Sequence, residues 1–134
     1  MAKIRHIAYR SQDPETMAKF FVESFEMTIA QRRQNGAIDL SDGTINITLL
    51  PMAPRTSDGR EPTVGIDHMG FSVEDLDEAK KRLVAAGGKE ANTIGAGSAH
   101  FEVKFVGPEG IVVDLGQWAG TAPLPETVGA SSAS

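Results

Sequence analysis

Two short stretches, "IRHIAYR" at residues 4–10 and "IDHMGFS" at residues 66–72, each place one imidazole inside a run that otherwise reads as strand. His6 and His68 both stand third in their stretch, and Asp114 interrupts "GIVVDLG" between Val and Leu. A single strand histidine is more often a core residue satisfied by a neighbour. Two at matching places, with an acid on a later strand, favour a ligand or catalytic role. A carboxylate among aliphatic side chains needs a partner or a metal. For Asp114 the plainer alternative is an ion pair with Arg10.

The elements that must position these groups are duplicated. "IRHIAYRSQDPETMAKFFVESFEM" and "IDHMGFSVEDLDEAKKRLVAAGGK" both read as a strand, an acidic turn and an amphipathic helix, with Tyr9 matching Phe71 and Asp13 matching Asp75. Asp13 is placed to cap the first helix, with Pro14 in its first turn and Met17, Phe20, Phe21 and Phe25 as the buried stripe. Asp75 caps the second, Leu76, Ala79, Leu83 and Ala86 face inward, and Gly87-Gly88 ends it. Strands are expected near 28–33, 37–40 and 44–50 in the first half, and near 90–94, 100–106 and 111–116 in the second. Turns fall at "QNG", "SDG" and "GPEG". Each half is therefore β-α-β-β-β.

Alternation sorts the strand side chains by face. Ile7 and Tyr9, Ile45, Ile47 and Leu49, Met69, Phe71 and Val73, and Val113 and Leu115 supply apolar faces suited to packing under helices. The reverse face carries His6, Asn46, Thr48, His68 and Asp114, as expected of a sheet lining a cavity.

Bulk properties narrow the function. A chain of 134 residues suffices for one core. A net charge of -5 with no Lys/Arg block speaks against nucleic acid as a partner. The apolar runs are too short for a membrane span, and "MAKIRHIAYR" lacks the apolar segment of a signal peptide, so a cytoplasmic protein is expected. With no Cys there is no disulfide, thiolate metal site or Cys nucleophile.

The duplicated β-α-β-β-β unit, the two strand histidines and the closing "GPEGIVVDLGQ" resemble the vicinal-oxygen-chelate superfamily of glyoxalases, bleomycin-resistance proteins and extradiol dioxygenases. The resemblance covers roughly residues 4–118. It implies an α+β fold in which two βαβββ modules form a curved mixed sheet, a half-barrel around a metal and substrate cavity, with helices on the outer face. A single domain over 1–118 is expected, with module one about 3–52, a Pro/Gly-rich linker about 53–63 and module two about 64–118. Residues 119–134 are expected to form a flexible tail. "GPEGIVVDLGQ" looks like the family's ending, with Asp114 where that ending has its metal-binding Glu.

Carried over by position, the family's ligand places fall on His6, Thr48, His68 and Asp114. Thr48 departs from the Glu or Gln usual in glyoxalases and epimerases. His6, His68 and Asp114 remain as a two-His-one-carboxylate set for a divalent ion such as Fe2+, Mn2+, Zn2+, Ni2+ or Co2+, leaving positions open for substrate or dioxygen. The resemblance then implies dioxygenase, lyase, isomerase or epoxide-opening chemistry on a small oxygen-chelating substrate, in a homodimer. Arg10, Asn46 and Thr48 are expected to line the substrate pocket. Glu102 is the candidate for a general base. His100 and Glu102 are read as a solvated strand face shared with Lys104, and Arg55 and Arg60 as loop cations. A metal-free binding protein of the bleomycin-resistance type is the alternative.

Overall fold

The structure is a computed structural model that describes residues 1–53, 61–93, 103–116, 118–119 and 122–123. The first half runs β1 (Lys3–Ser11), α1 (Pro14–Phe25), β2 (Thr28–Arg32), β3 (Ile38–Ser41) and β4 (Asn46–Pro51). The second repeats it with β5 (Gly65–Ser72), α2 (Leu76–Ala85), β6 (Lys89–Thr93), β7 (Val103–Val106) and β8 (Val112–Gly116). The turn expected at "GPEG" is a 3-10 turn, Pro108–Gly110. In the tail, β9 (Trp118–Ala119) pairs with β10 (Ala122–Pro123).

One mixed eight-stranded sheet holds both halves in the order β2-β3-β4-β1-β5-β8-β7-β6; it is curved and not closed into a barrel. Within each half the first and last strands are parallel, β1 with β4 and β5 with β8. The halves join where β1 and β5 run antiparallel. The duplication read from the sequence is thus a duplication of topology.

Local signals start and stop the helices. Asp13 Oδ1 accepts the Thr16 backbone N–H at 3.2 Å, and Asp75 Oδ1 accepts that of Glu78 at 3.1 Å, satisfying amide donors that helix geometry leaves open. At the far end of α2, the Gly88 N–H returns to Leu83 O at 2.8 Å, with Gly87 at φ 100° making the left-handed turn.

Each helix covers its own half. Ala18 of α1, with Met17, Phe21 and Val22, packs on Ile38, Leu40, Leu49 and Met27. Leu76, Ala79 and Leu83 of α2 pack on Val103, Phe105, Leu115 and Val73. Ile38, Leu40, Leu49 and Phe105 are almost completely buried, each contributing roughly 1.5–3 kcal/mol. Three expected stripe members lie outside these cores. Phe20 is exposed because it falls on the solvent side of α1, and Phe25 because it is the last helical residue, beyond the covered sheet. Ala86 is exposed as the C-cap of α2. Among the described residues no helix is long and apolar enough to cross a membrane.

The face away from the helices is polar and nevertheless buried. His6 and Arg10, Asp39 and Ser41, Asn46 and Thr48, Lys104 and Asp114 all lie below a tenth exposed. Buried polar groups persist only when paired, so this face must contain an organised network.

Candidate metal and substrate site

The centre of that network is the joint between the halves. Register pairs His6 with Gly70 and Ala8 with His68 across β1 and β5, and Gly70 with Asp114 across β5 and β8. Gly70 therefore lies between His6 and Asp114, and the His6 ring passes directly over it. A Cβ at Gly70 would stand 1.9 Å from His6 Cε1. The missing side chain is what lets His6 cross a strand and reach the acid. Ala8, the equivalent residue of the first half, is the register partner of His68.

His6 Nε2 lies 3.6 Å and His68 Nε2 3.0 Å from the same oxygen, Asp114 Oδ2. The two imidazoles meet edge to face at 88°. One donor atom from each residue falls within 4.8 Å of the others. Among the described residues Asp114 Oδ2 is buried yet makes no well-directed hydrogen bond. Donors about 2.1 Å from a common ion and about 90–110° apart stand roughly 3.0–3.4 Å from one another. The His68–Asp114 separation of 3.0 Å falls in that range and the His6–Asp114 separation of 3.6 Å lies about 0.2 Å beyond it, so a small inward shift of His6 would let the three residues hold a divalent ion.

A carboxylate also orients His68 from behind. Asp67 Oδ2 lies 2.6 Å from His68 Nδ1, which leaves Nε2 directed at Asp114. Histidines that bind metals ordinarily have their other nitrogen held by such a group. Simple alternation assigns Asp67 to the opposite face, but the β1–β5 register shifts between Ala8 and Tyr9, leaving Asp67 as the extra residue of a bulge. Bulges re-aim side chains in this way. A matching shift between Ile4 and His6 leaves Arg5 as the extra residue of the first half. Arg10 Nε then approaches Asp67 Oδ1 at 3.6 Å, and its Nη1 donates to Pro51 O. The Arg10 partner is thus Asp67 rather than Asp114.

The close cation of Asp114 is Lys104, whose Nζ stands 3.1 Å from Oδ1 and 3.4 Å from His68 Nδ1. Lys104 is only 3% exposed, which corrects its assignment to a solvated face. Its register partner on β8 is Asp114 itself, so alternation and pairing together turn it inward.

The charges shift one another. Burial by itself raises the Asp114 carboxyl, but His6, His68 and Lys104 outweigh it and hold the group well below the usual carboxylate range. For His6 burial dominates and lowers the imidazole below its ordinary value despite the pull of Asp114. For His68 burial also lowers, but Asp114 and Asp67 together prevail and raise it.

Thr48 faces the same side as His6 and His68, as alternation predicted, but its hydroxyl is committed: Oγ1 donates to Asp39 Oδ1 at 2.7 Å. Arg33 grips Asp39 with two bonds of 2.9 and 3.1 Å. Asn46 is buried beside His6 in the register. A cleft of about 240 Å³ opens at His68, bordered by Ile66, Asp67, Glu109 and Ile111. Glu102, His100, Arg55 and Arg60 lie outside the described residues. Gly70, Asp67, Lys104 and Asp39 are the site residues that sequence reasoning missed. Only Gly70 left a legible signal, a glycine in mid-strand, where close approach of another group is a standard reason.

A family model described as Glyoxalase/Bleomycin resistance protein/Dioxygenase superfamily matches residues 3–115. No curated protein gives a significant match. Among solved structures, a hypothetical protein of Bacillus halodurans C-125 superposes with TM-score 0.66 at 17% identity, covering 92% of this chain and 99% of the other. The methylmalonyl-CoA epimerase of Mycobacterium tuberculosis gives 0.66 at 18% identity, covering 94% and 91%. A 2,3-dioxygenase of Pseudomonas sp. KL28 gives 0.65 at 20% identity; 92% of this chain is covered but only 46% of the dioxygenase. At these identities the structural likenesses establish the fold.

Proposed function

The chain belongs to the Glyoxalase/Bleomycin resistance protein/Dioxygenase superfamily, and from that premise we propose that it is a divalent-metal enzyme acting on a small substrate with two neighbouring oxygens. The observation that carries this reading is the convergence of His6, His68 and Asp114 donors, with Asp67 fixing the outer nitrogen of His68. An ion held there supplies Lewis acidity, stabilising negative charge on substrate oxygens.

The chain's own groups do the rest. Asp67 orients His68, Gly70 leaves room for His6, and Lys104 holds the outer oxygen of Asp114 so that Oδ2 faces the site. Thr48 is too short to replace a carboxylate ligand, and its hydroxyl is already engaged with Asp39. β4 therefore supplies no carboxylate ligand, and coordination positions not filled by His6, His68 and Asp114 would be open to substrate or dioxygen. That arrangement favours dioxygenase or epoxide-opening chemistry over glyoxalase or epimerase chemistry, in which a carboxylate at Thr48 serves as ligand or base. Glu102 is the candidate general base of this proposal. Homodimeric assembly belongs to the same reading, and a monomeric mass by light scattering at micromolar concentration counts against it.

The direct test is Mn2+ or Fe2+ titration of untagged protein, beside His68→Ala. Wild type should bind about one ion per chain and the variant none, with its circular dichroism close to native. Equal metal content in both would refute the assignment. The second reading, a metal-free binding protein of the bleomycin-resistance type, has one observation in its favour: Lys104 already neutralises Asp114. Stoichiometric metal in the purified protein would exclude it.

A further inference from the structure

Among the described residues, the carboxylates buried around the site are each paired with a cation before any ion arrives. Asp114 is paired with Lys104 and Asp67 with Arg10, and all four side chains are below a tenth exposed. Asp39 and Arg33 form a third neutral pair beside Thr48. A divalent ion entering among neutral His6, neutral His68 and Asp114 therefore leaves the described cluster with a net charge of about +2, in a setting where charges are weakly screened. Lys104 decides this sum. Its ammonium is held at Oδ1 of Asp114, directly behind the oxygen that the ion would use.

We propose that Lys104 is a positioning and specificity-determining residue whose fixed positive charge shares Asp114 with the bound ion, weakening metal binding and making the loaded site select a doubly negative oxygen chelator over a singly negative one. The inference rests on the metal reading above and adds the charge class of the ligand to it. Lys104 acts through Asp114 and through the field of the site.

The test uses calorimetric titration of the full chain with Mn2+, then of the Mn2+-loaded protein with oxalate and, separately, glycolate. Both probes present vicinal oxygens but differ by one charge, and comparing their affinity ratio between proteins cancels their intrinsic difference for the ion. Lys104→Met should bind Mn2+ at least about tenfold more tightly than wild type, with an oxalate-to-glycolate ratio about tenfold lower. Lys104→Arg, which keeps the charge, should resemble wild type in both. If Lys104→Met does not fold, Lys104→Gln serves, since its amide donates to Asp114 without a charge. Wild type and the neutral variant binding Mn2+ equally, or showing the same ratio, would overturn the inference and leave the metal reading standing. Failure of every protein to bind Mn2+ would remove both. A neutral variant that binds where wild type does not supports the role of Lys104 in its strongest form.

Discussion

Replacing Gly70 by alanine adds one methyl group and should disable the metal centre. The new Cβ would lie 1.9 Å from His6 Cε1, 2.1 Å from Nδ1 and 2.7 Å from Nε2. Ordinary contact begins near 3.4 Å, so the ring must retreat by about 1.5 Å. Metal–ligand distances tolerate roughly 0.2 Å, so His6 leaves the ligand set. The φ of Gly70 is not positive, so alanine itself meets no backbone strain there. The cost is therefore overpacking, about 1–3 kcal/mol. Calorimetric Mn2+ titration and thermal melts read both effects, and His6→Ala supplies the control. In the double variant the clash is gone, so Gly70→Ala should cost little stability on that background, giving a coupling of about 1–3 kcal/mol. A Gly70→Ala protein with wild-type metal affinity and melting temperature would show that the ring does not lie over the glycine, and the reach of His6 to Asp114 would go with it.

The histidines predict a stability optimum for the metal-free protein. The His6 value is lowered, so below about pH 6.5 the unfolded chain binds more protons and stability rises with pH; the His68 value is raised, so above about 6.5 the native state binds more and stability falls. Denaturant unfolding with chelator should peak near pH 6.5, each group contributing a slope of at most about 1.4 kcal/mol per pH unit, and His68→Ala should remove the decline on the alkaline side; a decline that survives the substitution contradicts the assignment. Thr48→Glu places a second carboxylate against Asp39 on a buried face, so the metal-free variant should lose roughly 3 kcal/mol. Mn2+ should restore most of that by gaining a fourth protein donor, and a melting temperature that metal does not raise counts against Thr48 facing the ion.

What the sequence made legible was whatever repeats or alternates. The placement of the paired histidines, the two caps Asp13 and Asp75, and the sorting of Tyr9, Ile47 and Val113 from His6, Thr48 and Asp114 needed only local periodicity, and the structure bears them out. Asp67 was not legible because one bulge overturns the alternation that places it, and a bulge is fixed by pairing between distant strands. Lys104 was not legible for a related reason: beside His100 and Glu102 it reads as a polar strand, and only the β7–β8 register shows that it stands against Asp114. Phe20 and Phe25 misled because a large apolar side chain resembles core regardless of where the covered sheet ends.

The register at β1 and β5 makes the two halves dependent on each other. Each gives a histidine and, two residues further on, the small residue that pairs with the other half's histidine. Neither half holds a complete set of donors, since Asp114 and His68 come from one and His6 from the other. An ion bound there would act as a clasp across the joint, so occupancy would report how firmly the halves are docked. Cutting the chain in the linker would turn that intramolecular clasp into a metal-dependent association of two fragments.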